Sequence, residues 1–243
     1  MPLDQERKGP MDESYARGRR ADAAISYRYR IRAGVAARAI NRNLNPRRPL
    51  QILDLGSADG TTLAEMARFL PPRTAFTGIE YSAALASLAA HLSPNIHVVR
   101  GDIEDLPAAV KHRRFDAVTA LAVLEHLPRP VSTLRDAAHL LKPGGIMVVT
   151  CPEPSWDILA TRLGLLEDHH ESHLSRRIMD SCLAQAELEL IEYQRFMWAP
   201  VAVLPYLKIR VPPALSLALD QSIRRPRFLN WLFVNQLWVA RKV

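Results

Sequence analysis

Cysteine is scarce in this chain: only Cys151 and Cys182 occur among its 243 residues. Two cysteines at this separation form neither a disulfide framework nor a C-x-x-C pair, so the simplest setting is a reducing cytoplasm. Both are expected to be small, buried hydrophobic side chains with no reactive role.

Long hydrophobic runs are also missing. No N-terminal stretch resembles a secretory signal. The apolar run at residues 199–207 has nine residues and is too short to span a bilayer. The hydrophobic content is nevertheless 48%, enough for one α/β domain with a full core.

Acidic residues are few at both ends of the chain. Residues 1–48 carry a net charge of +7 and residues 201–243 a net charge of +6, whereas residues 49–200 carry −6. Net charge bears on partners rather than on fold. The basic ends therefore favour an anionic partner, either a membrane surface or a nucleic acid.

Glycine is sparse too, but Gly56 and Gly60 stand close together after a short apolar run that ends in Asp54 and Leu55. The run from residue 50 to 55 predicts a buried parallel strand, and residues 61–70 predict the helix that follows. Glycines at such a turn let backbone approach a ligand where a Cβ would collide. The turn is typical of nucleotide-binding folds, although tight turns also use glycine for steric reasons alone.

Further strands are predicted at residues 75–80, 96–100, 115–120, 145–150, 188–198 and 234–241, with helices between most of them. The second strand ends in Glu80, which lies 20 residues beyond Gly60, where a doubly wound sheet places a carboxylate for a ribose diol. The third strand is followed by Asp102 and Ile103. An adenine ring needs a polar group for its amine and an apolar wall for its face, and Asp102 and Ile103 could supply them.

Five sequence pieces in this order resemble the class I S-adenosylmethionine-dependent methyltransferases, specifically the methyltransferase type 11/12 group. They are residues 53–60, the strand end at Glu80, residues 101–107, residues 115–118 with 124–127, and residues 141–145. The resemblance covers about residues 50–195 and identifies no acceptor. It implies an α/β fold with a doubly wound, seven-stranded, mostly parallel sheet and an antiparallel last strand. The helical insertion expected before that strand comes from this sequence itself, because members with a simple sheet join the last two strands by a short turn.

The resemblance also implies the cofactor S-adenosyl-L-methionine, with S-adenosyl-L-homocysteine as product. The residues predicted to bind it are Asp54, Gly56, Ser57, Asp59, Gly60, Glu80, Tyr81, Asp102, Ile103 and Leu121. His126, which follows the fourth strand, is the first candidate for a general base, and His173 and His170 come next. A Glu-His pair at this position can equally orient a helix.

The sequence departs from the family pattern at Ala58, where the family has a glycine, and at Ala122, where metal-binding relatives have an acid. The second departure leaves the metal triad incomplete, so no bound metal is expected. A nicotinamide-dependent oxidoreductase is the main rival. It is disfavoured because the loop lacks G-x-G-x-x-G spacing and no Tyr-x-x-x-Lys pair occurs.

Residues 1–48 are interpreted as a disordered start, up to about Asp12, followed by an amphipathic helix laid over the cofactor site. Tyr27, Ile31 and Val35 recur at four-residue spacing, although the local alternation also fits a strand. Basic residues beside tyrosines suit RNA. No compact nucleic-acid module or base-methylation motif accompanies them, so nucleic acid is the weaker alternative.

Three histidines occur between residues 168 and 173, ahead of a helix predicted to be capped by Ser175. They lack a closed set of metal ligands and are interpreted as substrate-positioning or surface groups. The buried face of that helix is predicted to consist of Ile178, Met179, Cys182, Leu183 and Ala186.

We divide the chain into residues 1–48, a core at 49–198, an insertion at 199–233 and a last edge strand at 234–243. The insertion combines five prolines with basic, aromatic and leucine residues, which predicts short helices. It can be a membrane-surface or lipid-substrate lid, a soluble lid or an oligomer contact. The function expected is methyl transfer to a small-molecule or lipid-linked acceptor by in-line displacement. The alternatives are a membrane-recruited binding protein without turnover and an RNA methyltransferase.

Overall fold

The computed structural model describes residues 23–89, 91–162, 172–223 and 227–242. The helices in these ranges are α1 Ala23–Leu44, α2 Thr61–Ala67, α3 Ala83–Ala89, α4 Ala108–Lys111, α5 Pro130–His139, α6 Pro154–Arg162, α7 Arg176–Gln185, α8 Ala199–Val203 and α9 Pro213–Ile223. Short 3-10 helices cover Leu124–His126, Leu204–Leu207 and Arg227–Leu232.

The strands form a single seven-stranded sheet in the order β3-β2-β1-β4-β5-β7-β6. They are β1 Gln51–Leu55, β2 Ala75–Glu80, β3 Ile96–Arg100, β4 Phe115–Leu121, β5 Leu141–Pro152, β6 Leu188–Trp198 and β7 Phe233–Lys242. The first five are parallel, and β7 pairs antiparallel with both β5 and β6. The predicted fold class is confirmed.

The start of β5, at Leu141, differs from the predicted strand at residues 145–150. Leu141 already pairs with Phe115, and a register shift between Phe115 and Ala117 brings Ile146 opposite Ala117. Gly144, at a φ of +71°, lies within this irregular stretch. The prediction was wrong because a bulge lets a strand begin before its glycine-rich segment.

Helix α1 packs on one face of the sheet. Tyr27, Ile31 and Val35 are all buried, in a cluster that includes Ile52 and Phe76 from the strands. The helical interpretation is therefore confirmed for residues 23–44, and the strand alternative is wrong. The predicted disordered start lies outside the described residues.

Helices α5 and α7 contribute buried side chains to the cluster on the opposite face. Ser175 stands at the N-cap of α7 but makes no side-chain capping hydrogen bond. Met179, Cys182, Leu183 and Ala186 are buried as predicted, whereas Ile178 is 48% exposed. Ile178 was misplaced because the helical period turns it away from the neighbouring Met179.

The insertion leaves and rejoins the sheet at one place, because Trp198 at the end of β6 pairs with Phe233 at the start of β7. Antiparallel β7 begins where β5 ends, with Pro152 opposite Asn235. The insertion therefore emerges at the carboxyl edge of the parallel strands. The predicted short helices are present as α8, α9 and two 3-10 helices. Over the described ranges, no helix has the length and apolar character needed to cross a membrane.

Candidate active site

The chain order of the sheet reverses between β1 and β4, since β1 is followed on one side by β2 and on the other by β4. Ligands of doubly wound sheets bind in the crevice outside the carboxyl ends of the strands at such a reversal. Asp54, Glu80 and Leu121 lie at or next to the carboxyl ends of β1, β2 and β4. The sequence-predicted cofactor residues therefore converge on one edge.

The loop after β1 is held on the neighbouring strand. The amides of Gly56 and Ser57 both donate to the Ile79 carbonyl oxygen, at 2.9 Å and 3.0 Å. Gly56 and Gly60 have φ values of +71° and +73°, a region that favours glycine. This backbone conformation forms a tight loop between β1 and α2.

The two loop glycines also allow close packing within the protein. A Cβ on Gly56 would lie 2.6 Å from Cγ2 of Val123, and one on Gly60 would lie 2.8 Å from Cδ1 of Leu92. The expectation that these positions are kept bare for a ligand therefore gives only part of the reason. Both glycines are also required by side chains that pack against them.

Ala58, which replaces the middle glycine of the family pattern, is buried and has a φ of +48°. A left-handed conformation costs about 1–2 kcal/mol for a residue with a Cβ. The carboxylate of Glu80 offsets this cost, because its Oε2 accepts the Ala58 amide at 2.8 Å. Glu80 is thus a support of the loop as well as a group at the end of β2.

The second oxygen of Glu80, Oε1, accepts the amide of Ser82 at 2.8 Å. Glu80 is 8% exposed, so its carboxylate is held rigidly between the β1 loop and the start of the next helix. A carboxylate has about four lone-pair sites. Two backbone bonds are therefore compatible with further hydroxyl donors.

Asp54 lies between β1 and β4, almost completely buried, with Oδ1 accepting the Thr119 hydroxyl at 2.5 Å. Asp59 is buried as well and accepts the hydroxyl of Thr61 at 2.9 Å. Asp54 is thus near the end of β1 and Asp59 within the glycine loop, and these two buried carboxylates make this end of the crevice suitable for a cationic group.

Beyond β3, Asp102 accepts the Glu104 amide through Oδ1 at 2.8 Å, which fixes the direction of its carboxylate. Ile103 is buried beside it. Tyr81 and Leu121 are half-buried at the ends of β2 and β4. A carboxylate next to a buried apolar side chain therefore lies beyond the end of β3, and its contact with an adenine stays a prediction.

The histidines are placed differently from one another. His126 ends the 3-10 helix after β4 and is half-buried, whereas His173 is exposed. His170 lies outside the described residues. His173 lines a small recess at the ends of β4 and β5; the remaining lining residues are Glu125, Cys151, Pro152, Pro154, Ser172 and Leu174.

Glu125 is a site residue that the sequence reasoning missed. Its side chain is 3% exposed and lines the recess, whereas the neighbouring His126 does not. The available signal was the apolar setting of this carboxylate between Leu124 and Leu127. The sequence reasoning gave weight to the histidine instead, because histidine is the more frequent base.

Cys151 lies beside Glu125 at the end of β5. Burial raises the pKa of the Cys151 thiol well above its ordinary value, and the carboxylate of Glu125 raises it further, while the more distant Arg32 opposes the shift. A thiol in this state is a poor nucleophile. Cys151 is therefore a wall of the recess, in line with the expectation of buried, unreactive cysteines.

Arg32 brings a positive charge to the same edge from helix α1, and its Nη2 donates to the Asn235 side chain at 3.4 Å.

Within the described ranges, no group of three or more His, Cys, Asp or Glu side chains is arranged to hold a metal ion.

The seven-stranded order, the crevice at its reversal and the acidic groups around a glycine loop define a nucleoside-binding α/β enzyme fold. A family model described as a methyltransferase domain matches residues 27–193. The chain belongs to this family, which is of the class I S-adenosylmethionine-dependent type.

Individual relatives agree with this assignment. The chain is 30% identical over 155 residues to trans-aconitate 2-methyltransferase of Deinococcus radiodurans, covering 63% of this chain and 52% of that protein. It is 28% identical over 163 residues to the ubiquinone biosynthesis O-methyltransferase of Xanthomonas campestris pv. campestris, covering 62% and 67%. The match to the first relative therefore spans about half of that protein's length.

Among solved structures, the plantazolicin methyltransferase BpumL in complex with SAH has the same fold, with a TM-score of 0.64 at 13% identity. The alignment covers 99% of this chain and 93% of that one. An identity this low supports the fold alone.

Proposed function

We propose that this protein transfers a methyl group from S-adenosyl-L-methionine to a small-molecule acceptor bound at the carboxyl edge of the sheet. The observation that carries the proposal is the convergence of Asp54, Glu80 and Asp102 on one crevice, each fixed by a hydrogen bond. Two relatives whose names identify small-molecule or quinone-pathway methyltransferases support this acceptor class.

The residues along the crevice are chemically suited to bind the separate parts of the cofactor. We infer that Asp54 and Asp59, with the loop residues Gly56, Ser57 and Gly60, receive the cationic amino-acid part. Glu80 and Tyr81 would hold the ribose, and Asp102 and Ile103 the adenine. Leu121 would contact the methionine side chain. When bound, the cofactor supplies an electrophilic methyl group on a sulfonium centre.

The protein contributes mainly by positioning. Holding the reacting atoms in near-attack geometry is worth about 7–11 kcal/mol in well-oriented systems, and the leaving group needs no proton. The buried, hydrogen-bonded carboxylates of Asp54 and Glu80 are suited to this because little reorganisation is needed when they bind.

We infer that the acceptor binds next to the small recess between the ends of β4 and β5, which is too small to enclose it. Here Glu125 is the best-placed group to take a proton from a hydroxyl or an ammonium group, because it lines the recess from a buried position. His173 lines the same recess, and His126 lies one residue away from Glu125. We assign the base role to Glu125 ahead of His126, His173 and His170.

For the acceptor itself we favour an amphiphilic or lipid-linked molecule. The insertion emerges at the same edge as the recess, and Leu207 and Trp231 within it are 64% and 62% exposed. Exposed apolar residues in a segment that starts and ends at this edge suit an acceptor with an apolar tail.

The first experiment is calorimetric titration of the full chain with S-adenosyl-L-methionine and S-adenosyl-L-homocysteine. Glu80→Gln is expected to weaken binding at least about tenfold, equivalent to roughly 1.4 kcal/mol. The matched control is Glu189→Gln, an exposed carboxylate on β6 far from the crevice. An absence of binding heat in the unmodified protein would refute the cofactor assignment.

The second experiment uses radiolabelled methyl transfer into separate lipid and soluble extracts. Incorporation into one fraction identifies the acceptor class and its atom, whereas cofactor binding without incorporation would indicate a binding protein without turnover. Glu125→Gln is expected to lower kcat by about 10²–10⁴-fold if a proton is removed from the acceptor. If His126→Ala has the large effect and Glu125→Gln stays within twofold, our assignment of the base is wrong.

A further inference from the structure

One part of the insertion exposes alternating apolar and basic side chains. Val203, Leu207, Ile209 and Leu215 are between 50% and 64% exposed, and Lys208 and Arg210 are exposed between them. We call these six residues the basic apolar surface. Four consecutive exposed residues, 207–210, read Leu-Lys-Ile-Arg, with no polar uncharged residue to separate the apolar side chains.

The insertion presents positively charged side chains to solvent, among them Lys208 and Arg210. Between Glu192 and the end of the chain the sequence has a single acidic residue, Asp220. Asp220 is buried and accepts the backbone amides of Met197 and Trp198, at 2.7 Å and 3.1 Å. The Asp220 carboxylate is thus buried and hydrogen-bonded to backbone amides. Lys208 and Arg210 are exposed and have no acidic neighbour in the sequence.

The insertion that exposes these apolar side chains is firmly packed against the rest of the protein. Val201, Ala202 and Leu217, on the inner side of α8 and α9, are buried in the core that includes helix α1. The hydroxyls of Tyr27 and Ser216 form a buried hydrogen bond of 2.5 Å. The insertion therefore has a satisfied inner face and a separate outer face.

Backbone geometry fixes the outward direction of the 207–210 turn. Lys208 has a φ of +61° and its amide donates to the Pro205 carbonyl oxygen at 3.0 Å. The amide of Ile209 donates to the Leu204 carbonyl oxygen at 3.1 Å. These bonds turn the chain sharply at a protein surface with the apolar side chains of Leu207 and Ile209 in solvent.

We propose that the basic apolar surface docks on an anionic lipid bilayer. Apolar side chains enter the interface between headgroups and acyl chains, and basic residues beside them are attracted by anionic headgroups. The insertion that carries this surface leaves and rejoins the sheet at the edge that carries the acceptor recess, so docking would bring the recess close to a lipid-borne acceptor. That last step rests on the proposed function, whereas docking itself requires no bound cofactor.

The test is flotation of the full chain with vesicles of phosphatidylcholine alone and of phosphatidylcholine containing phosphatidylglycerol. Flotation is expected only with the anionic vesicles and should fall as salt is raised, because exposed charges are screened. The variants Leu207→Ser/Ile209→Ser and Lys208→Glu/Arg210→Glu are each expected to lower the floated fraction at least fivefold.

Matched controls make the same changes elsewhere. Ile178→Ser removes an apolar side chain of 48% exposure on α7. Arg113→Glu/Arg114→Glu reverses two exposed charges just before β4, at the amino edge of the sheet. Both controls should float like the unmodified protein. Equal losses in control and test variants, or flotation that ignores lipid charge, would overturn the proposal.

Other occupants of the surface give distinct outcomes, each of which replaces the lipid proposal. Retention on RNA but not on anionic vesicles would assign the surface to nucleic acid. A dimer in light scattering that dissociates in Leu207→Ser/Ile209→Ser, without vesicle binding, would assign it to a second copy of the chain. Thermal unfolding of each variant verifies that it is folded.

Calorimetry on the same variants separates this proposal from the proposed function. Unchanged cofactor affinity with lost flotation supports docking by the basic apolar surface alone. Retained flotation in a protein that binds no cofactor would end the proposed function and leave the docking surface in place.

Discussion

The carboxylate of Asp220 on α9 accepts the backbone amide of Met197 at 2.7 Å, and so connects the insertion to the end of β6. Met197 has a φ of +65°, a conformation that needs support in a residue with a side chain. The other carboxylate oxygen of Asp220 accepts the amide of Trp198 at 3.1 Å. One side chain thus stabilises both the strand end and the insertion that follows it.

We expect Asp220→Ala to free the insertion from the sheet. Two backbone donors lose their acceptor, and an unsatisfied buried donor costs about 1–3 kcal/mol. Limited trypsin digestion should then cut faster at Lys208 and Arg210, while the melting temperature falls. The control is Asp136→Ala, which removes an exposed carboxylate on α5. Equal cleavage rates in both variants would contradict this role.

The close approach of Gly78 to Ser57 predicts that a side chain at position 78 would disturb the loop after β1. A Cβ on Gly78 would lie 2.3 Å from Oγ and 2.6 Å from Cβ of Ser57. Gly78→Ala is therefore expected to displace the loop, lowering stability by about 1–3 kcal/mol and weakening cofactor binding. Adding Ser57→Gly should restore much of the stability, as measured by denaturant unfolding. A double variant whose losses simply add would show that the clash is absorbed elsewhere.

A buried carboxylate at the amino edge of the sheet predicts a pH dependence of stability. Burial by itself raises the pKa of Asp116, but hydrogen bonds from Lys142 and the Gln51 amide, with the charges of Lys142 and Arg48, outweigh it and hold the pKa below its usual range. The distances are 2.8 Å to Lys142, 2.8 Å to Gln51 and 3.2 Å to Arg48.

Because the folded-state pKa of Asp116 is lowered, its stabilisation is complete above the unfolded-state value of about 4. It is lost as the pH falls through the folded-state value. We expect Asp116→Asn to cost about 1–3 kcal/mol at pH 7 and progressively less as the solution is acidified below pH 4. Urea unfolding of both proteins across this range measures the difference, and a constant difference would refute the linkage.

Both cysteines are predicted to be protected from alkylation. Burial raises the pKa of Cys182, and it raises that of Cys151 well above the ordinary value. Maleimide labelling of the native protein at pH 7.5 should be at least roughly tenfold slower than labelling in guanidinium chloride, because the thiolate is the reactive form. The Cys182→Ser variant isolates Cys151. Rapid native labelling of that variant would mean that the recess opens readily.

The sheet was predictable from the sequence because its parallel strands are mostly short β-prone runs that end in turn residues. Ala75–Glu80 and Ile96–Arg100 have the predicted bounds, as does the longer strand Leu188–Trp198. Their partners in a parallel sheet follow from the right-handed crossovers of this class. The start of β5 at Leu141 was not predictable, since its bulge depends on pairing with Phe115.

The positions of the candidate site residues in the fold were predictable from the sequence, but their surroundings were not. Asp54, Glu80 and Asp102 lie at the strand ends where the sequence places them. Only the three-dimensional structure reveals that Glu80 supports Ala58, or that Glu125 rather than His126 lines the recess. Such contacts join residues far apart in the chain, or depend on which way a single turn faces, and neither is encoded in local periodicity. The assignment of these residues to a bound cofactor stays a prediction.

The pairing of Trp198 with Phe233 places both ends of the insertion on adjacent strands, about 5 Å apart. A two-residue hairpin can join strands at that spacing, so the whole segment can be shortened, lengthened or exchanged while the hydrogen bonding of β6 and β7 stays the same. Strand pairing therefore fixes only where the insertion is attached, and a replacement segment would still have to cover the face of α1 that Leu217 packs against and supply an acceptor in place of Asp220.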